Sequence, residues 1–402
     1  MHDVPYKFHQ STNFQYLCGY QGSDSFLILT KNEHLLFITQ KSSEFEIWEG
    51  PNPDKTTLSK NLGIESINDV SEMTQYMNKL LSGPCESTVW CSFFDEDYTG
   101  KIHAKHINGL HQLINNEYRA RVDKRLDGLI QKLRVIKSAN EQKLMRKACE
   151  IASHAFIHTM EFSYPQVPES VLETNFELEC KKRMSSGSAY IPVVAGGNRA
   201  CTIHYIDNNC MISAKDSLVL MDAGCEYQNY CSDISRTWPI IGKFTPAQKE
   251  LYEALLEVQI RCIDLCKPSQ LSLNELLVRM YQFMIKYFEE IKLLPAHLTY
   301  QEKFQMVSKL CPHHIGHHLG LDVHDCHLIS RDEPLQPGMV ITIEPGVYIP
   351  LHDTEFPKEL SGYGMRIEDD ILITQNGAPD ILTNQCPKKC DIIESISCKN
   401  QK

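Results

Sequence analysis

Asp222, Asp233, His317, Glu344 and Glu368 are the residues of this 402-residue chain best suited to chemistry. They stand in LVLMDAGCEYQNYCSDISRTWP, HHIGHHLGLDVHD, VITIEPGVYIP and GMRIEDDILIT, each at a strand or strand edge. Four carboxylates and one imidazole make an oxygen-rich donor set. It is enough to hold two hard divalent ions with carboxylates bridging them. Such a set points to metal-assisted hydrolysis.

Each segment alone has a plainer reading. Asp222 can open a turn before Ala-Gly, with Asp233 an exposed strand residue. Alternatively, a hairpin turning through CEYQNY brings the two carboxylates to one point. Glu344 after Val-Ile-Thr-Ile is costly to bury unless paired or metal-bound, or else it faces water at a strand end. In MRIEDDILIT, strand alternation puts Arg366, Glu368 and Asp370 on one face and Ile367, Asp369 and Ile371 on the other. Burying the charged face requires partners; otherwise it is a polar edge. Six histidines crowd CPHHIGHHLGLDVHDCH: His313, His314, His317, His318, His324 and His327. This is not the HExxH pattern of zincins. A neutral imidazole can ligate a metal, and its neighbours can donate to a carbonyl or an oxyanion. The segments are jointly far more specific than any one of them.

The elements that must position these residues follow from pattern. SFLIL (25–29) and HLLFIT (34–39) read as strands around a Lys31-Asn32-Glu33 turn. The segment 107–133 reads as a helix. Three capping boxes open later helices: Ser138 with Glu141, Thr245 with Gln248 and proline at the first helical position, and Ser272 with Glu275. The first presents Leu144, Ala148, Ile151, Ala152, Ala155 and Phe156 on one face. Strand-like runs fall at 217–223, 230–240, 338–349 and 364–374. Helices alternating with antiparallel strand pairs predict α+β. The chain is expected to divide into an α/β domain over 1–133 and a catalytic domain over 134–402.

Composition narrows the function classes. The chain is 42% hydrophobic and 23% charged, with a net charge of −11 and no basic stripe, which argues against a nucleic-acid partner. No apolar run approaches the roughly 20 residues of a membrane span, so no membrane role is expected. Sixteen cysteines without a CxxC pair read as reduced, mostly buried thiols.

Taken together, the segments resemble the pita-bread metallopeptidases, the family of methionine aminopeptidase, prolidase and aminopeptidase P. The details resemble aminopeptidase P (Xaa-Pro aminopeptidase), in its mitochondrial type 3 form. YKFHQSTNFQYLCGYQGSDSFLIL, IPVVAGGNRACTIHY and LQPGMVITIEPGVYIP add to the stretches quoted above, so the resemblance covers nearly the whole chain. It implies a smaller α/β amino-terminal domain before a pita-bread catalytic domain. It implies that Asp222, Asp233, His317, Glu344 and Glu368 are metal ligands, with Asp233 and Glu368 bridging two Mn2+ ions that Co2+ or Zn2+ can replace. It implies that Glu344 is also the catalytic base and His324 a catalytic histidine. It places His204, His313, Tyr348 and Arg366 among the substrate-handling residues or their supports. The implied reaction removes the first residue from peptides with proline second; a prolidase acting on Xaa-Pro dipeptides is the alternative. A homodimer is implied. Relatives carry a targeting segment and a further strand and helix before the part matched by MHDVPYKFHQ, so the amino-terminal domain is expected to be shortened at its start. The family form implies mitochondria; no Arg-rich presequence is present, and a cytoplasmic location also fits. A binding protein of the same fold would have lost metal ligands, whereas all five are present.

Overall fold

A computed structural model of the chain describes residues 11–22, 25–82, 88–91, 122–123, 125–215 and 217–397. It divides into two units, residues 1–133 and 134–402.

The first unit is built on a three-stranded sheet, β1 (Ser25–Leu29), β2 (His34–Ile38) and β3 (Ser66–Asp69). β1 pairs with β2 antiparallel and β2 with β3 parallel. Alternation along β2 sends Leu35 and Phe37 to one side and Leu36 and Ile38 to the other. Leu35 and Phe37 pack with Met73, Met77 and Leu81 of α3 (Met73–Leu81). Leu36 and Ile38 pack with Cys18 of α1 (Thr12–Cys18) and with Leu58 and Leu62 of α2 (Lys55–Leu62). Both faces of the strand are therefore buried, as its unbroken apolar run requires. Of the helix expected over 107–133, residues 107–121 lie outside the described residues. The rest differs from expectation: Val122–Asp123 is extended, and the helix spans Leu126–Arg134.

The second unit wraps helices around paired antiparallel strands. α4 (Ala139–Phe162) and α6 (Pro246–Asp264) begin at the boxes predicted for them, as does α7 (Leu273–Glu290). Between them come α5 (Glu169–Lys182), and after them α8 (Tyr300–Leu310) with a fourth box at Thr299 and Glu302. Of the predicted inward face of α4 all but the half-buried Leu144 are buried, and Met145, Cys149, Ser153, Thr159 and Met160 are buried with them. Phe156, Phe176, Trp238 and Tyr252 anchor one continuous core between helices and strands. Among the described residues no disulfide forms, and the cysteines other than Cys201 and Cys210 are buried. None of the described helices is long and apolar enough to cross a membrane.

Two strand systems carry the acidic residues. In the first, β4 (Val193–Gly196), β5 (Leu218–Ala223) and β8 (Ile234–Pro239) align in the order β8-β5-β4. β6 (Cys225–Tyr227) and β7 (Tyr230–Cys231) form a tight hairpin between β5 and β8. Its two turn residues, Gln228 and Asn229, adopt φ of 46° and 70°. That left-handed geometry matches the twist of a two-residue hairpin turn. In the second system, β9 (Val340–Ile343) pairs with β12 (Asp369–Leu372), and β10 (Gly346–Ile349) pairs with β11 (Tyr363–Arg366). All these pairings are antiparallel.

The strand-like runs 338–349 and 364–374 are each broken in two, the first at the bend that Pro345-Gly346 suggests. Ile343 pairs with Asp369 and Gly346 with Arg366, so Glu344-Pro345 lies opposite Ile367-Glu368. Proline cannot donate to a ladder, which explains the break on one side. Across it, the Ile367 amide donates to the Pro345 carbonyl at 3.2 Å. The expected alternation of Arg366, Glu368 and Asp370 on one strand face is therefore corrected: Glu368 lies between two strands of different sheets, and all six residues from Arg366 to Ile371 are buried.

Candidate metal centre

Asp222 lies within β5 rather than beyond its end, opposite Ser235 of β8. Asp233 sits just before β8, its amide donating to Asp370 Oδ2 at 3.0 Å. The hairpin reading holds: the two aspartates converge. A tyrosine that sequence reasoning missed joins them. The Tyr190 hydroxyl meets Asp222 Oδ1 at 2.5 Å and also reaches Asp233 Oδ1.

His317 arrives on a segment that runs antiparallel to β9. Thr342 N donates to the His317 carbonyl at 2.9 Å, and Glu344 N to the Ile315 carbonyl at 2.8 Å. Gly316 makes this approach possible, since a Cβ there would lie 1.9 Å from the Thr342 carbonyl oxygen. The His317 Nδ1–H donates to the His318 carbonyl at 3.0 Å, which turns Nε2 toward the carboxylates. Nε2 lies 3.4 Å from Asp233 Oδ2 and 3.8 Å from Glu344 Oε1. Donor atoms of Asp233, His317 and Glu368 fall within 4.8 Å of one another, close enough to share one ion.

Glu368 is held by the Ser235 hydroxyl at 2.6 Å, and Ser235 in turn accepts from Arg366 Nε at 2.8 Å. Arg366 also donates to Asp222 Oδ2 at 2.5 Å and to the Tyr348 hydroxyl at 2.6 Å. His313 Nε2 meets the same hydroxyl at 3.0 Å, while His313 Nδ1 lies 3.7 Å from Glu344 Oε2. Arg366 and Tyr348 are buried with these bonds made, so they support Asp222 and His313 from behind. His324 stacks edge-to-face on His317, ring centres 4.4 Å apart, on the exposed side. His204 is exposed, and its charge bears on His324.

The electrostatics ask for cations. Burial and then the charges of Asp233, Glu344 and Asp222 push Glu368 far above the usual carboxylate range. Burial pushes Glu344 up to about 7, against the pull of His317 and Arg366. Burial also raises Asp233. Burial opposes a charge on His317, yet the Asp233 hydrogen bond and the Glu344 charge raise it to about 9. A positive charge is drawn to the spot where Nε2 faces the carboxylates. Hard oxygen donors that repel one another in a buried pocket fit divalent ions. In contrast, burial and then the Arg366 charge lower His313 to about 4. Burial, followed by the charges of His317, His204 and Arg331, lowers His324.

Ser235 was legible by strand alternation two residues after Asp233. Tyr190 was not, because nothing in its segment marks a contact to aspartates 32 and 43 residues on.

A site of this kind on paired antiparallel strands defines a metallopeptidase. Residues 143–375 match Metallopeptidase family M24, and residues 1–90 match the amino-terminal domain of aminopeptidase P. The chain belongs to that family, with a pita-bread catalytic domain, and is a divalent-metal-dependent aminopeptidase of the aminopeptidase P type. It is 40% identical to Xaa-Pro aminopeptidase 3 of Mus musculus, over 98% of this chain and 78% of the relative. It is 35% identical to intermediate cleaving peptidase 55, mitochondrial, of Arabidopsis thaliana, over 98% of this chain and 76% of that one. The structure of aminopeptidase PepP from Pseudomonas aeruginosa superposes with a TM-score of 0.88 at 30% identity, covering 99% of this chain and 90% of the other.

Proposed function

We propose that this chain is an Xaa-Pro aminopeptidase, releasing the first residue from peptides with proline in second position. The observation that carries the reading is the convergence of Asp222, Asp233, His317, Glu344 and Glu368, two buried and three half-buried, at one place. In this reading these five residues would hold two divalent ions. A manganese pair suits the oxygen-rich set, with Co2+ or Zn2+ as substitutes. Such ions, when bound, supply Lewis acidity and a water that loses its proton near neutral pH.

The chain's own residues complete the reaction. Glu344 takes the proton of the attacking water at a carboxylate oxygen and hands it toward the leaving nitrogen. His324, on the open side of His317, donates to the scissile carbonyl oxygen as it gains charge. The new bond joins water oxygen to carbonyl carbon; the broken bond frees the nitrogen of proline. That nitrogen carries no hydrogen in the peptide, so cleavage requires that it gain one. His204 and His313 line the side where the proline ring lies. Tyr348 and Arg366 keep Asp222 and His313 in place.

The names of the relatives favour the aminopeptidase over a prolidase restricted to dipeptides. A mitochondrial location is supported by the Arabidopsis relative's name, and a homodimer by the family resemblance. Fractionation and sedimentation velocity test these two.

The deciding experiment offers Gly-Pro-Ala and Gly-Pro to metal-stripped protein with and without manganese. Glycine released from the tripeptide only when manganese is present is the expected result. Cleavage of the dipeptide alone means a prolidase, and cleavage of neither overturns the reading.

A further inference from the structure

Behind the exposed His324 lies a buried ion cluster that the reaction as described does not use. Lys137 Nζ donates to Asp325 Oδ2 at 3.1 Å. Arg134 Nη2 donates to Asp325 Oδ1 and, at 2.7 Å, to Asp322 Oδ2. The side chains of Lys137 and Asp325 are 1% exposed and that of Arg134 is 3% exposed. Taking such charges from water costs several kcal/mol per ion, and apolar residues of similar volume often serve stability as well. Stability is therefore a weak reason for the cluster.

Its geometry supplies a better one. Asp325 is the immediate neighbour of His324, and its amide donates to the His318 carbonyl at 2.9 Å. That carbonyl is the one that accepts from His317 Nδ1. The segment from His317 to Asp325 is thus a closed loop whose two ends present the stacked rings of His317 and His324. The loop folds around the Asp325 carboxylate so closely that a Cβ on Gly320 would lie 2.3 Å from Oδ2. Lys137 shares this tight spot, its Cε lying 3.1 Å from the same Cβ position. Lys137 is itself fixed: its amide donates to the Gly338 carbonyl at 2.8 Å, and it directly precedes Ser138, the cap of α4.

We propose that Lys137 and Arg134 are positioning residues for hydrolysis, acting through Asp325 to hold the His324 imidazole beside His317. This rests on the catalytic role of His324 proposed above. Removing one cation leaves the buried carboxylate half-paired, and the loop end that carries His324 shifts. The Gly338 and Ser138 anchors stay.

The test uses the manganese-loaded full chain with Gly-Pro-Ala. Lys137→Met should lower kcat about 10²-fold, the cost of a misplacement near 1 Å. KM should stay within about threefold, since ground-state binding is not what the loop supplies. Metal content by elemental analysis should not change. Lys137→Arg, which keeps the charge but adds volume at a buried site, should recover about tenfold of that loss. In a His324→Ala background, Lys137→Met should cost less than about twofold, because the residue it acts through is gone. An equal loss in both backgrounds, or wild-type kcat in Lys137→Met, overturns the proposal. Asp325→Asn, which keeps the shape, carries the same cycle if Lys137→Met does not fold. An inactive wild-type enzyme instead overturns the reading of the function.

Discussion

Glu344 and Glu368 occupy facing breaks in two paired chains, flanked by the Ile343–Asp369 pair on one side and the Gly346–Arg366 pair on the other. In an unbroken ladder, neighbouring side chains alternate between faces, and only one register brings two acids together. The break frees both glutamates to turn into one pocket while the flanking strands stay paired. Pro345 makes it permanent, because it has no amide to restore the ladder.

Glu344→Ala removes a proposed ligand and the proposed base. Hydrolysis of Gly-Pro-Ala should fall at least about 10²–10⁴-fold, the range of general-base contributions. His324→Ala should lower turnover while bound metal stays at the wild-type level. Steady-state kinetics paired with elemental analysis separates the two roles. Metal loss in the histidine variant would remove His324 from the role assigned to it.

Tyr190→Phe deletes the hydroxyl shared by Asp222 and Asp233 without changing the ring. Loss of such a supporting contact typically weakens metal affinity about 10–100-fold. Activity titrated against buffered free manganese should shift by that factor, with the plateau rate little changed. An unshifted titration would make the tyrosine a spectator.

Arg236 is fully buried against Asp369 at 2.7 Å and also donates to the carbonyls of Ser235, Pro387 and Cys386. Arg236→Met strands that carboxylate with Lys388 as its remaining cation. Breaking a buried pair costs about 3–5 kcal/mol. Urea denaturation should show a midpoint lowered accordingly, and an unchanged midpoint would mean that Lys388 suffices.

Acid should act on the Asp325 cluster. Burial raises this carboxyl, but the charges of Lys137 and Arg134 outweigh it and hold it below the ordinary range. A group with a depressed folded pKa stabilises the fold above its unfolded value of about 3.9. That stabilisation is lost as pH falls toward the folded value. Melting temperatures of wild type and Asp325→Asn should therefore converge below about pH 4 and separate above it. A constant gap down to pH 2 would contradict the shift.

Chelation should destabilise the protein as a whole. Ions that bind the native pocket and not the unfolded chain add about 2.7 kcal/mol at a hundredfold excess over Kd. Manganese added back to chelated protein should raise the melting temperature in a concentration-dependent way. Magnesium at the same concentration is the comparison that reports selectivity.

Much of this was legible in the chain, for identifiable reasons. The helix starts at Ser138, Thr245 and Ser272 are local, each fixed by a side chain three residues from its partner. The four acidic candidate ligands stood out because acids at strand ends among apolar runs are costly without a partner, and His317 because six histidines crowd its segment. What eluded the sequence is non-local. Tyr190 lies outside the strands, brought to its aspartates where the Ala189 amide donates to the Gly224 carbonyl, and the facing breaks at Glu344 and Glu368 depend on how two distant strands register. The box at Thr299 was overlooked although its spacing is the same as that of the other three.

The last of the five candidate ligands, Glu368, is also late in the order of synthesis. Its backbone amide is fixed by the Ser235 carbonyl, and its carboxylate by the Ser235 hydroxyl, both on a strand made far earlier. Until the ribosome has released the strand after Glu368, the pocket lacks a wall and Asp222 lacks its Arg366 partner. A chain that stops short of Glu368 therefore cannot assemble the proposed ligand set, whatever part of it has already folded.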